Sequence, residues 1–348
     1  MKPKHLTTIA FFCLLISVGI FIKAVGQHPS TTGQDASAAR SSYRLSGPYT
    51  HNNLTVFLVH GKDLTSKTFL TLQEALAQKK VRVYETKDVN ELAIRNLSNQ
   101  DIYVQAGDIV RGGDQDRMIS VDFIVPPKSG RMPIAAFCVE SGRWNKRGNE
   151  ESASFSSSEN MIATKDLKLA AKRERSQDAV WKNVSVAQGK LSKSVGDNVQ
   201  APVSASSLEL SVENVKVKET TAAYLQALSG IVQNKSDVIG YVFAINGHVN
   251  SADVYASRAL FAKLWPKLIK ASAVEAVAEL NKDIETKPVA SESVHTFLNE
   301  SEKANAAARQ VTARVKVVTR EDDKNIFFET QDRAANDGWV HRNYIRKQ

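Results

Sequence analysis

Hydrophobic and polar positions divide the chain into stretches of two periods. Residues 54–59 are apolar and rich in β-branched side chains, and 81–86 alternate apolar with polar. Further short apolar runs follow at 92–94, 102–104, 119–125 and 133–139. Turn residues at 96–100, Gly112-Gly113 and Pro126-Pro127 separate them. Short strands at this spacing predict a sandwich or a strongly curved antiparallel sheet rather than alternating βαβ units. One helix is expected inside the block, over 66–78. There Phe69, Leu70, Leu72, Leu76 and Ala77 recur at helical spacing, with Ser66 or Thr68 as the cap.

The pattern changes near residue 145. A serine-rich stretch at 152–158 reads as a loop, 165–175 is heavily charged, and 190–206 reads as a loop again. Between them, Val180, Val184, Ala187 and Leu191 mark one face of a helix that starts at Ser176. Residues 220–232 carry Tyr224, Leu225, Leu228, Ile231 and Val232 at helical spacing. The runs 238–245 and 248–255 flank Asn246-Gly247, a pair that tolerates the positive φ angles of a type I′ hairpin turn. Helical spacing returns over 257–280, where Pro266 predicts either a kink or a restart. Strands are expected at 313–319, 325–330 and 339–345. The fold class is α+β: a strand-rich N-terminal block, several packed helices and a C-terminal hairpin, read as one domain over 43–348 with a loop-rich insertion near 145–211.

The N-terminus changes the picture of where this domain works. Lys2 and Lys4 precede an apolar run at 6–22, and Ala24-Val25-Gly26 offers a small-x-small cleavage point. Residues 1–26 read as a signal peptide or, if uncleaved, an anchor, and the small polar residues at 27–42 as a flexible tether. Either way the domain is expected outside the cytoplasm, touching a membrane only through an uncleaved leader. Loss of Lys2, Lys4 and Lys23 lowers the net charge from +9 to +6. With no dense basic stripe, duplex nucleic acid is not an expected partner. Cys138 is then the one thiol left, and its apolar neighbours at 135–139 predict burial.

Composition excludes more than it selects. The chain is 348 residues, 42% hydrophobic and 24% charged, which excludes wholesale disorder, and two cysteines exclude a disulfide scaffold or a four-thiolate zinc site. No Gly-x-Ser-x-Gly elbow, phosphate-binding glycine loop or histidine metal pair is present, so neither a nucleophile nor a cofactor is predicted. An EF-hand calcium loop is also ruled out, because Asp114 and Asp116 lack a third acid in step and the distal glutamate.

The unusual stretch is 106–117, with glycines, Arg111, Arg117, Asp108, Asp114 and Asp116 between two strands. Two readings stand. The amides around Gly112-Gly113, with Gln115 nearby, make an anion-holding concavity to which Arg111 and Arg117 add planar forks. Alternatively, the arginines pair with Asp108, Asp114 and Asp116 and no positive field remains. A second candidate is 140–144, where Glu140, Arg143 and Trp144 follow a strand. These line a pocket, with Glu140 as base and Arg143 as anion clamp, or they are an ordinary ion pair beside a packed tryptophan.

Residues 106–117, 137–144, 238–247 and 264–268, in this order, resemble the ARG and rhodanese-phosphatase-superfamily-associated protein domain, a bacterial family. The resemblance covers roughly 45–344, nearly the whole mature chain. It implies one intact domain, carries no established activity, and favours Gly112, Gly113, Gln115, Arg117, Glu140, Arg143 and Trp144 belonging to one site. The leading expectation is an exported binding or accessory domain for a small anionic or nucleotide-like ligand, held by these residues and Arg111. The alternatives are a hydrolase using Glu140 or a loop aspartate as general base, and a structural cell-envelope interaction protein.

Overall fold

The computed structural model describes residues 43–143, 155–161, 164–281 and 286–347. The leader, the tether and Trp144 therefore lie outside the described residues. In chain order the first elements are β1 (Arg44–His51), β2 (Leu54–His60), β3 (Leu70–Thr71), α1 (Leu72–Ala77), β4 (Val81–Glu85) and β5 (Glu91–Asn96). Then come β6 (Ile102–Val104), β7 (Asp108–Gly112), β8 (Arg117–Ile119), β9 (Phe123–Val125), β10 (Met132–Cys138) and β11 (Phe155–Met161). Helix α2 (Lys165–Leu169) runs into a π-helical turn (Ala170–Glu174), followed by α3 (Gln177–Val195), α4 (Leu208–Val212) and α5 (Val215–Leu228). The chain ends with β12 (Val238–Ile245), β13 (His248–Tyr255), α6 (Arg258–Ala278), α7 (Ser291–Ser301), β14 (Ala306–Gln310), β15 (Val315–Glu321), β16 (Asn325–Asp332) and β17 (Gly338–Arg346).

The expected α+β class holds, but the strands are shared out differently. The largest sheet is antiparallel throughout, in the order β1-β2-β12-β13-β17-β16-β15-β14. The N-terminal block is thus not closed on itself, since β1 and β2 pair with C-terminal strands. A six-stranded sheet, β11-β7-β8-β10-β5-β4, and a small one, β3-β6-β9, take the remaining strands.

Burial explains the central strands. Leu54, Val56 and Leu58 of β2 point into the main core with Tyr241 and Phe243 of β12 and with α6. Phe57 and Val59 point the other way, against Val242, Val254 and the Phe297 and Leu298 side chains of α7. A strand covered on both faces reads as a continuous apolar run, and each fully buried Phe or Leu contributes about 1.5–3 kcal/mol. Asn246 and Gly247 adopt φ of 52° and 80°, as the hairpin requires.

Several expectations need correction. Helix α1 starts only at Leu72, because the capping box is made by Thr71 and Glu74 rather than by Ser66 or Thr68. The run 119–125 divides between β8 and β9, which lie in different sheets. The serine-rich stretch is largely β11, held to β7 by its ladder and by Ser158 and Asn160, whose side chains reach the buried Glu209. The loop expected over 190–206 begins only after Val195, where Gly196 ends α3 at φ 67°. Helix α6 runs on through Pro266 without a restart, and burial along most of its length offsets the proline. The charged stretch 165–175 is helical, and β1, β14, α4 and α7 are further elements that the sequence reading did not assign.

Candidate functional site

The two sequence motifs do meet in space. Gly113 and Arg143 are linked by an Arg143 Nη1 to Gly113 carbonyl contact of 3.5 Å, and Arg143 Nη2 lies 2.7 Å from Glu140 and 3.7 Å from Asp116. Gly113 is required there. Its φ is +61°, and a Cβ would stand 2.5 Å from both Glu85 Oε1 and the Phe155 ring. Trp144 belongs to the undescribed residues, so its place in this group is not given.

The amides that would cradle an anion already hold the chain's own carboxylates. The Gly112 amide donates to Asp116 Oδ1 at 3.1 Å, Asp114 to Glu85 Oε1 at 3.2 Å, and Asp116 to Glu140 Oε2 at 3.3 Å. Arg117, 2% exposed, pairs with Glu85 at 3.1 Å and donates to the Val89 carbonyl at 2.7 Å. Arg111 turns away to Glu213 at 2.7 Å and Glu209 at 3.7 Å. The arginines are thus compensated, though not by the aspartates of their own loop, and Asp108 instead binds Lys267 at 2.6 Å. Gln115 is fully buried, and its carboxamide makes no hydrogen bond among the described residues. Glu140 accepts from Ser204 as well as from Arg143 and Asp116, which leaves it poorly placed as a general base. Burial raises the Glu85 carboxyl, with Arg117 opposing, and raises the Cys138 thiol to about 11. Cys138 is the buried, inert thiol its neighbours suggested.

A different region has the features of a binding site. Ladder register aligns Arg309, Val317, Thr330, His341 and Tyr255 in one row across β14, β15, β16, β17 and β13. The neighbouring row is Ala307, Thr319, Phe328, Asn343 and Asp253. Residues two apart on a strand share a face, so both rows line the same side of the sheet. Over β14–β16 that side faces a cavity of about 260 Å³, roofed by the turn that carries Lys172, Arg173 and Arg175. Its floor is Val317, Ile326 and Phe328. Four basic side chains line it against two acidic ones, Asp122 and Glu321.

Behind the cavity the rows end in a buried polar network. His341 bridges two carboxylates, with Nδ1 2.7 Å from Asp122 Oδ2 and Nε2 3.0 Å from Asp253 Oδ1. Its ring stacks on Tyr255 at 4.5 Å. Asp122 also accepts from the Thr330 hydroxyl and the Ala106 amide. Burial works against every charge here, yet the partners prevail. Asp122 is lowered chiefly by His341, Asp253 likewise, and the His341 imidazole is raised by the two carboxylates. Lys172 Nζ donates to Asn343 Oδ1 at 2.6 Å and sits 4.5 Å over the Phe328 ring. Burial outweighs Asp122 and Asp253 there and lowers the ammonium pKa. No cluster of three or more metal-binding side chains occurs among the described residues.

None of these residues was a sequence candidate. The available signals were the basic density at 172–175 and the polar run His341-Arg342-Asn343 inside a strand. One family model, that of the ARG and Rhodanese-Phosphatase-superfamily-associated Protein domain, matches residues 42–345. The chain belongs to that family. Searches of curated proteins and of solved structures found no match.

Proposed function

We propose that this family member is a binding domain for a small organic anion with an apolar portion, held between the 170–175 turn and the β14–β16 face. One observation carries the reading. Arg175 and Arg309 line one cavity, and neither guanidinium has a carboxylate or other hydrogen-bond partner among the described residues. Arg309 is lowered by burial and by the like charge of Arg175, and an anion bound between the two guanidiniums would offset that like-charge contact. Guanidinium forks suit phosphate or carboxylate, and the Val317, Ile326 and Phe328 floor suits an aliphatic or aromatic body. Hydrolysis has less support, since Glu140 and the loop carboxylates Asp108 and Asp116 are each held by donors within the protein.

Calorimetric titration with phenyl phosphate tests this. Each charge-assisted hydrogen bond is worth about 1.5–3 kcal/mol, so an Arg175→Ala/Arg309→Ala double variant is expected to bind at least tenfold more weakly. Equal affinity in parent and double variant overturns the reading, as does silence toward phenyl phosphate, benzoate and inorganic phosphate alike. The leader supports a further proposal, export. Mass analysis of the protein from its host is expected to find Gln27 as the first residue, and a cytoplasmic chain retaining Met1 removes that part.

A further inference from the structure

We infer that the anion carries an aldehyde or ketone and that Lys172 captures it as an imine, an inference that rests on the anion-pocket reading above. Lys172 lines the cavity, and so do the arginines that would fix the anionic end of such a ligand. Its side chain is half-buried, with the ammonium 4.5 Å over the Phe328 ring, and it has no carboxylate within ion-pair distance among the described residues; its hydrogen-bond partner is the neutral Asn343 amide. A lysine is seldom withdrawn from water, even in part, without a counter-ion in contact, because the charged form loses hydration. The exception is a lysine whose neutral amine has work to do as a nucleophile. The lowered pKa agrees with that geometry.

The backbone around it is irregular in a way that positions the side chain. Lys172 lies in the π-helical turn, a form that recurs at functional sites. Arg175 ends the turn at φ 54°, a left-handed conformation that costs energy for a side chain of this size. The electrostatics also suit a reversible bond. Asp122 and Asp253 act on Lys172 as opposite charges, while Lys168 acts on it as a like charge. A protonated imine at Lys172 would keep a positive charge facing those two carboxylates.

The chemistry requires no co-reactant. The ammonium gives one proton to solvent, and the free amine adds to the carbonyl carbon to form a carbinolamine. The carbinolamine hydroxyl takes up a proton and leaves as water, and the C=N bond forms as the nitrogen lone pair closes. One carbonyl and one amine are consumed, one water is released, and no atom changes oxidation state.

The test uses the full chain and pyridoxal 5′-phosphate as an aromatic aldehyde bearing an anion, with pyridoxal as the uncharged control. After borohydride reduction, peptide mapping is expected to place a saturable, near-stoichiometric adduct on Lys172. Phenyl phosphate should compete it away, pyridoxal should label at least tenfold less, and Lys172→Arg should remove it. Labelling spread over surface lysines and indifferent to phenyl phosphate overturns the imine. If pyridoxal phosphate binds in competition with phenyl phosphate but Lys172 stays unmodified, the imine falls while the anion pocket stands. If neither compound binds, both readings fall. Competition in the parent protein decides the matter even if Lys172→Arg does not fold.

Discussion

Two regions of this molecule are rich in arginine, and they put it to opposite uses. Around Gly112–Arg117 each guanidinium faces a carboxylate and the loop amides are filled by the protein's own acids. Around the 170–175 turn and β14, two guanidiniums line one cavity with no such partner among the described residues. The first region looks like a site in the sequence and the second does not. Sequence proximity is a poor guide to charge compensation because the neutralising acids come from elsewhere. Glu85 lies 32 positions from Arg117, and Glu213 lies 102 positions from Arg111. A glycine-rich loop dense in charge is therefore ambiguous until the chain's remote carboxylates are placed. What marks a binding site is unbalanced charge beside a cavity.

The comparison breaks most readily at Arg117. Removing one partner of a buried ion pair strands the other, at a cost of about 3–5 kcal/mol. Arg117→Ala should therefore lower the unfolding free energy by roughly that amount, measured in urea, while the folded fraction still binds phenyl phosphate as the parent does. Loss of affinity with unchanged stability would move the site back to the glycine loop. Gly113→Ala acts in the same region through sterics. The added Cβ meets Glu85 and Phe155 at 2.5 Å and has to sit at φ +61°. A destabilisation of about 1–3 kcal/mol is expected, and a neutral result would mean that the turn can relax.

The fold was legible where local pattern and burial agreed. The hairpin around Asn246-Gly247, the helix bearing Leu260 to Ala278 and the three closing strands β15, β16 and β17 stand close to where periodicity put them. It was illegible where long-range pairing decides. Strand β14 is Ala-Ala-Ala-Arg-Gln and fully exposed, so only its ladder to β15 makes it a strand. Strand β11 has apolar residues only at its ends, and its serine and asparagine side chains reach Glu209 about 50 positions away (separations of 51 and 49). The cavity proposed to bind an anion belongs to the same class. His341 and Asp122, 219 positions apart, become one unit only through sheet order.

The buried network offers a pH test that separates the two regions. The His341 pKa is raised, so its contribution to stability is complete below the ordinary imidazole value of about 6.5 and fades as pH rises through the folded value. Asp122 and Asp253 are lowered, so theirs is complete above the ordinary value of about 3.9 and fades as pH falls through the folded values. Stability should therefore peak between about pH 4 and 6.5. The alkaline limb should decline by no more than about 1.4 kcal/mol per pH unit. In His341→Gln that limb should flatten, and an unchanged slope would assign it to another group.

The smallest expected effect on stability is also the most diagnostic. Arg309 sits on an exposed edge strand, contacts no carboxylate among the described residues and faces Arg175, so the described fold gains nothing electrostatic from it. Arg309→Ala should leave the urea midpoint within about 0.5 kcal/mol of the parent, or raise it slightly by relieving the like-charge contact. A residue kept for folding cannot behave this way, since its removal exposes or strands something, as at Arg117. Near-neutral stability together with weakened binding of phenyl phosphate would establish that the charge at 309 serves a ligand. Marked destabilisation would instead show an unrecognised structural role and place Arg309 with the compensated arginines of the glycine loop.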